Sequence, residues 1–319
     1  MTRRPAISVL LPVRDGGPYL APAVADLLAQ RDVDLEVVAV DDGSRDGSGE
    51  WLEARARDEA RLCVVRTAGG GAAAALDRAL ARARHPLVAQ MEADDRCPPQ
   101  RLARLAEALL AEPSWSGVVS DAAVFGFESA GMRRYVKWQN GLVTPQAMAA
   151  ARFLEIPALH QSGLYHAAVL RELGGYAGDP RWPLDIDFWM RWHARGLRAG
   201  RLPERLYCWR QHARQSTRTS PLHRPDALRR CKAHYFARGP GAGGAVDLLG
   251  VGATLAAWQA SLAEAGQRDL AAHEWRPGAP LPPRRAGALR LFLFGTAPAR
   301  ARVGAQRDAL DPARDWFAA

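Results

Sequence analysis

The sequence predicts an α/β protein with a doubly wound, mostly parallel sheet and a second, smaller α/β module. Three observations predict it. Short apolar runs recur through residues 7–121 and stop at polar turn residues, as strands buried on both faces do. Ala- and Leu-rich segments of helical length separate them, which is the alternation of crossover connections. After a glycine-rich stretch at 239–245 the strand-then-helix pattern starts again on a smaller scale.

Taken in order, strands are expected near 7–12, 35–41, 62–66, 87–92 and 117–121, with a crossover helix over 19–30 and a Leu-rich helix over 100–111. Asp41-Asp42-Gly43-Ser44-Arg45-Asp46-Gly47 has turn chemistry and leads into a helix from about Ser48. From 122 to 166 the pattern weakens, and Gly126-Phe127, Arg133-Arg134-Tyr135-Val136 and Trp138-Gln139-Asn140 suggest strands and loops covering a site, before a short helix at 145–154. A helix over 185–196 follows, its apolar face made by Ile186, Trp189 and Met190, and an Arg-rich helical segment occupies 221–239. The expected division is a first domain at 1–238, a linker at 239–245 and a small module at 246–319. In that module, strands are expected from Val246 and over 291–295, with helices to about 266 and over 300–310. Gly250 and Gly252 match the first two glycines of the dinucleotide fingerprint, Leu255 stands where the third belongs, and His273-Glu274 offers the later acid. An incomplete fingerprint points to a degenerate Rossmann-like module with a structural or assembly role.

Composition narrows the function classes. The 319 residues are 48 % hydrophobic and 24 % charged, ordinary for a globular protein, and no apolar run is long enough to span a bilayer. Met1-Thr2-Arg3-Arg4-Pro5 runs straight into a strand and leaves no room for a secretory signal, so a cytoplasmic location is expected. The net charge is +9, and Lys137 and Lys232 are the only lysines. The arginine surplus fits a codon bias, a diphosphate substrate or anionic lipid headgroups, which admits peripheral contact at the inner face of a membrane. A nucleic-acid role would need a basic patch interleaved with aromatics on a known module, and none is visible. Cys63, Cys97, Cys208 and Cys231 are widely spaced, lack metal-ligand patterns and are expected as free thiols. Oligomeric state leaves no mark in the sequence.

The chemistry-bearing residues stand at strand ends. A parallel sheet binds ligands beyond the carboxyl ends of its strands. Asp41 and Asp42 end one expected strand, and Glu92, Asp94 and Asp95 end another, so these acids should converge on one rim. Clustered carboxylates are ligands for hard divalent cations, which share coordination with substrate phosphates. Each acid also has a plain reading: Asp41-Asp42-Gly43 as an Asx-type turn, Glu92-Ala93-Asp94-Asp95 as a solvated loop, and Asp185 as a helix cap.

Ser8-Val9-Leu10-Leu11-Pro12-Val13-Arg14-Asp15, Val40-Asp41-Asp42-Gly43-Ser44, Gly71 with Ala75-Leu76-Asp77, Glu92-Ala93-Asp94-Asp95, Pro98-Pro99-Gln100-Arg101-Leu102, Leu173-Gly174-Gly175-Tyr176, Asp185-Ile186-Asp187-Phe188-Trp189-Met190-Arg191 and Trp209-Arg210-Gln211-His212 follow one another in this order. In that series, residues 7 to about 216 resemble the family 2 inverting glycosyltransferases, whose fold is the nucleotide-diphospho-sugar transferase (GT-A) type. The resemblance implies a nucleoside-diphosphate sugar, a UDP-sugar first, as donor, Mn²⁺ or Mg²⁺ as cofactor, and a glycan or lipid-linked acceptor in polysaccharide biosynthesis. It implies that Asp94 holds the metal, with His212 near it, and that Asp185 is the catalytic base. It places Pro12, Arg14, Asp41, Asp42, Gly71, Glu92, Asp95 and Arg210 around the nucleotide sugar, Arg210 as a charge partner of the diphosphate. Leu184 stands where the family has Glu before the base, and this departure keeps a second reading open, a catalytically impaired sugar-nucleotide-binding or assembly protein.

Overall fold

The computed structural model describes residues 4–127, 129–294, 297–304, 310–311 and 313–319. The chain divides into two units. The first comprises Met1–Met148, Ala158–Pro180 and Arg191–Thr219, and the second Ala149–Pro157, Arg181–Met190 and Ser220–Ala319.

In chain order the elements up to Thr219 are β1 (Ala6–Val13), α1 (Gly17–Leu28), β2 (Asp34–Asp41), α2 (Ser48–Asp58), β3 (Leu62–Arg66), α3 (Ala72–Arg82), β4 (Leu87–Gln90), α4 (Arg101–Ala111), β5 (Gly117–Gly126), α5 (Ala130–Asn140), α6 (Pro145–Ala151), β6 (Gly163–His166), α7 (Ala167–Glu172), α8 (Leu184–Ala194), β7 (Ala199–Gln211) and α9 (Ser216–Thr219). The seven strands form one sheet in the order β3-β2-β1-β4-β6-β5-β7. Only β6 runs antiparallel to its neighbours, so the sheet is mostly parallel, as expected. The cause lies in the sequence. From their second residues onward β1 and β2 are buried throughout, and strands buried on both faces need helices on both sides. Val9 pairs with Val37 on one side and Ala89 on the other, which makes β1 an interior strand. After β1 the chain moves outward to β2 and β3, then returns past β1 to β4. The sheet therefore reverses direction at the β1–β4 pair, where α/β sheets open a crevice.

Two expectations change. The strand expected to reach residue 92 ends at Gln90; the Met91 N–H still donates to the Leu10 carbonyl (3.0 Å), and the chain turns away after it. Where strands and loops were expected around 133–140, the structure has the helix α5. Val136 and Gln139, three apart, are its buried positions, Ser129 caps it through the Met132 N–H, and the Asn140 amide bonds both backbone groups of Ala122.

The second unit continues with α10 (Pro225–Arg238), β8 (Val246–Gly250), α11 (Gly252–Glu264), β9 (Leu270–Glu274), β10 (Leu289–Leu293), α12 (Ala297–Gly304) and β11 (Asp315–Ala318). Its four strands are all parallel, in the order β11-β10-β8-β9. Leu249, Trp275, Phe292, Phe294 and Val303 form a core in it. The longest stretch of the unit starts at Ser220, earlier than the linker expected at 239–245, because α10 packs on α11 and buries Cys231 and Phe236. It also takes in 149–157, where the Phe153 ring meets Phe236 and Trp316 edge-on. The ends of the strand expected at 291–295 and the helix expected at 300–310 lie partly outside the described residues, as do Met1, Thr2 and Arg3.

Candidate functional site

A cleft of about 580 Å³ opens at the carboxyl ends of β1 and β4. Pro12, Val13, Arg14 and Asp15 bring one wall from the end of β1, and Glu92, Ala93 and Asp94 bring the floor from the loop after β4. Asp42 enters from β2, Gly71, Ala72 and Ala75 from the start of α3, and His212, Arg214, Gln215 and Thr219 from the chain after β7. Seven residues singled out from the sequence thus share one cleft: Pro12, Arg14, Asp42, Gly71, Glu92, Asp94 and His212.

Asp42 is held rigidly. One carboxylate oxygen accepts from the Thr67 hydroxyl (2.9 Å), and the other accepts from the Gly71 N–H (2.7 Å), with Arg14 at 4.0 Å. Asp41 does not line the cleft. Fully buried, it accepts from the Ser44 N–H (3.1 Å) and pairs with Arg66 (3.2 Å), so it shapes the turn rather than the wall. That packing requires Gly49, since a Cβ there would sit 2.4 Å from the Asp41 carboxylate.

The acids after β4 divide in the same way. Asp94 points into the cleft, and its Oδ2 lies 2.8 Å from His212 Nε2. Asp95 is fully buried behind it, accepting from the Tyr207 hydroxyl and the Arg210 N–H. Burial and the Asp94 charge push its carboxyl well above the ordinary range. Burial, with Asp94 adding, likewise pushes the Glu92 carboxyl up to about 7, against the hydrogen bond from Gln90. Burial and mutual repulsion thus hold these carboxyls toward their neutral forms, and an added cation would favour the charged ones.

Arg210 does not line the cleft either. Its guanidinium lies 4.4 Å from the Tyr19 ring and 4.4 Å from the Phe125 ring, a cation–π sandwich. Its Nε donates to the Asp94 carbonyl (2.6 Å) while its backbone N–H holds Asp95. Arg210 therefore fixes the acidic loop from behind, and the cations exposed to the cleft are Arg14 and Arg214. Sequence reading missed Arg214, Tyr19, Gln215 and Thr219. Tyr19 sits in the first turn of a helix that follows β1, and that placement was the available signal.

Among the described residues, no group of three His, Cys, Asp or Glu side chains is disposed to hold a metal by itself. Asp94 fits the mode in which one carboxylate is shared with substrate phosphates and waters. His212 receives the Arg214 N–H on Nδ1 (3.3 Å), which leaves the Nε2 proton directed at Asp94. It would become a ligand only by releasing that contact and moving its proton to Nδ1.

Asp185 lies in the second unit, in the first turn of α8. Its side chain is 23 % exposed, with His223 Nε2 at 3.9 Å. One oxygen accepts from the Ile186 N–H (2.8 Å), as an acid at a helix start does. Burial raises its carboxyl above the ordinary value, with His223 opposing and Glu155 adding. Asp187, two residues on, is buried and accepts from the Tyr235 hydroxyl (2.7 Å). Leu184 opens the helix where an acid would otherwise precede Asp185.

Residues 8–162 match the model of glycosyl transferase family 2. These residues are a glycosyltransferase family 2 domain. The glycosyltransferase EpsJ of Bacillus subtilis (strain 168) is 29 % identical over 163 residues, 51 % of this chain and 44 % of EpsJ, so the chain spans less than half of that relative's length. Among solved structures, S. aureus TarS 1-349 in complex with UDP-GlcNAc superposes with a TM-score of 0.60 at 17 % identity, covering 73 % of this chain and 67 % of that one. The mannosyltransferase PcManGT of Pyrobaculum calidifontis, in complex with GDP-Man and Mn²⁺, gives 0.53 at 22 % identity, covering 75 % and 64 %. At these identities the structures share the fold with the family 2 domain. Among the described residues no helix is long and apolar enough to cross a membrane.

Proposed function

We propose that this protein is an inverting glycosyltransferase that moves a sugar from a nucleoside diphosphate, a UDP-sugar first, onto a hydroxyl of a glycan or lipid-linked acceptor. The observation that carries the reading is the cleft at the β1–β4 switch point, where Asp42, Glu92 and Asp94 meet Arg14, Arg214 and His212. A cleft of that size takes a nucleotide sugar, and its mixed charges suit a diphosphate bound with a cation. TarS, whose solved complex holds UDP-GlcNAc, and PcManGT, whose complex holds GDP-Man and Mn²⁺, support the same ligand class.

In this reading Asp42 orients the base or ribose, Arg14 and Arg214 pair with phosphate oxygens, and Asp94 holds Mn²⁺ or Mg²⁺ against the diphosphate. A divalent cation held there supplies Lewis-acid stabilisation of the departing diphosphate. Asp185 is assigned the base. It takes the proton of the acceptor hydroxyl as that oxygen attacks the anomeric carbon, the anomeric C–O bond breaks, and its electron pair leaves on the diphosphate. A carboxyl above its ordinary value suits a general base, since affinity for the transferred proton rises with it. The relative ExoU, a succinoglycan biosynthesis protein of Rhizobium meliloti, favours a glycan acceptor.

The test is a screen of UDP-, GDP- and TDP-sugars with Mn²⁺ for donor turnover, run on the wild type and on Asp185→Asn. The proposal expects turnover of one donor class by the wild type, and by the variant bound donor without transfer. Donor binding with no turnover by the wild type would favour the second reading, for which Leu184 is the motivating observation.

A further inference from the structure

We propose that α5 and its flanks, Phe127 and Val143, form a docking face for the surface of an anionic phospholipid bilayer. The helix presents two chemistries. Val136 and Gln139 are buried toward the first unit's sheet, while Arg133, Arg134 and Lys137 are exposed on its other side. Arg133 and Lys137 are four apart and share a face. No Asp or Glu occurs anywhere in 129–154, and Glu128 is the one acid between 122 and 154. One of the chain's two lysines is therefore spent on this helix.

Apolar side chains bracket the cations. Phe127 is 71 % exposed before the helix and Val143 is 56 % exposed after it, two of the largest exposures among the apolar residues described. Between them run the eleven residues of α5, roughly 16 Å of helix at 1.5 Å per residue. Tyr135 and Trp138 stack on the helix, their ring centroids 6.3 Å apart, and both are half-buried. Aromatic rings beside cations at an apolar edge are the composition of an interfacial helix, and juxtamembrane cations gain most from anionic headgroups. Charge complementarity commits the face to such a surface, since a neutral membrane offers the cations nothing.

Location gives the contact a use. The Phe127 N–H donates to the Gln211 carbonyl (2.9 Å), and His212, the next residue, lines the cleft. Arg218 lies 5.8 Å from the Phe127 ring, close in sequence to the cleft residue Thr219. A bilayer touching Phe127 would bring the rim of the cleft to the level of the headgroups. The docking itself does not depend on the glycosyl-transfer reading.

The test is co-sedimentation of the full chain, without nucleotide and with EDTA, with vesicles of phosphatidylcholine alone or with 30 % phosphatidylglycerol added (roughly the anionic share that gives a surface potential of tens of millivolts). Wild-type protein should partition onto the anionic vesicles, release with rising salt and ignore the neutral ones. Arg133→Gln/Arg134→Gln/Lys137→Gln should lower the partition coefficient about a hundredfold, and Phe127→Ser several-fold, with unchanged circular dichroism. Equal partition of the triple variant, or no preference of the wild type for anionic vesicles, would overturn the proposal. Arg55→Gln/Arg57→Gln, on α2, removes two positive charges elsewhere on the surface and should retain most of the binding.

Discussion

The two units use the same local device, a parallel strand ending at a turn before a helix, and put it to opposite ends. In the first, the strand ends of β1, β2 and β4 leave Asp42, Glu92 and Asp94 around an open cleft, with cations facing them. In the second, β8 ends at Gly250 and α11 starts at Gly252, but the Gly252 N–H donates to Glu274 Oε1 (3.0 Å) at the end of β9. The helix N-terminus that could receive a phosphate already holds the protein's own carboxylate. Leu255, buried where a dinucleotide site needs a third glycine, fills the close approach between helix and sheet. A strand end becomes a ligand site only when its acids point at space and its helix N-terminus is left open.

Variants can break this contrast. The largest effect is expected from Asp94→Asn, which removes the charge that would share a cation with the diphosphate. Transfer should fall about a thousandfold or more, measured with saturating Mn²⁺. Asp185→Asn should lower transfer by about a hundredfold to ten-thousandfold while leaving UDP affinity unchanged by calorimetry. The same residue gives a pH prediction. Its carboxyl is raised, the base works ionised, and the rate must fall as pH drops through that raised value. The acidic limb of the pH–rate profile should therefore lie above the ordinary aspartate range, and a limb at or below that range would contradict the assignment.

Arg210→Leu comes next. It keeps the backbone bond to Asp95 but removes the Nε bond to the Asp94 carbonyl and the charge between Tyr19 and Phe125. Mn²⁺-dependent nucleotide binding should weaken about tenfold to a hundredfold, as for other groups that orient a ligand from behind. Unchanged binding would mean that the sandwich is packing alone. Smallest of all, Glu274→Gln should cost under about 1 kcal/mol in thermal stability through the lost charge at the α11 start, with UDP binding intact.

How much of this was legible in the sequence follows from the physics of each element. Apolar runs ending in acids located β1, β2 and β4 and the rim where they converge, because burial on both faces leaves an unbroken hydrophobic signature. Which of two adjacent acids faces the cleft was not legible. Asp41 and Asp42 are neighbours, yet one is packed against Gly49 and Arg66 and the other is clamped by Thr67 and Gly71. Asp94 and Asp95 divide likewise, and that choice is made by Tyr207 and Arg210 from more than a hundred residues away. Arg210 reads as a phosphate cation until Tyr19 and Phe125 are seen to enclose it. The strands β9 and β11 escaped notice because Leu270–Glu274 and Asp315–Ala318, at five and four residues, are too short for a period to show. That the longest stretch of the second unit begins at Ser220 was hidden because the glycine-rich 239–245 advertises a linker, whereas the packing of α10 on α11 decides the division.

The most direct measurement is a calorimetric titration of UDP into the wild type and Asp94→Asn, each with Mn²⁺ and with EDTA. Wild-type binding that needs Mn²⁺, together with its loss in Asp94→Asn, is the expected result. Equal affinity in all four titrations would show that Asp94 and a cation have no part in holding the diphosphate.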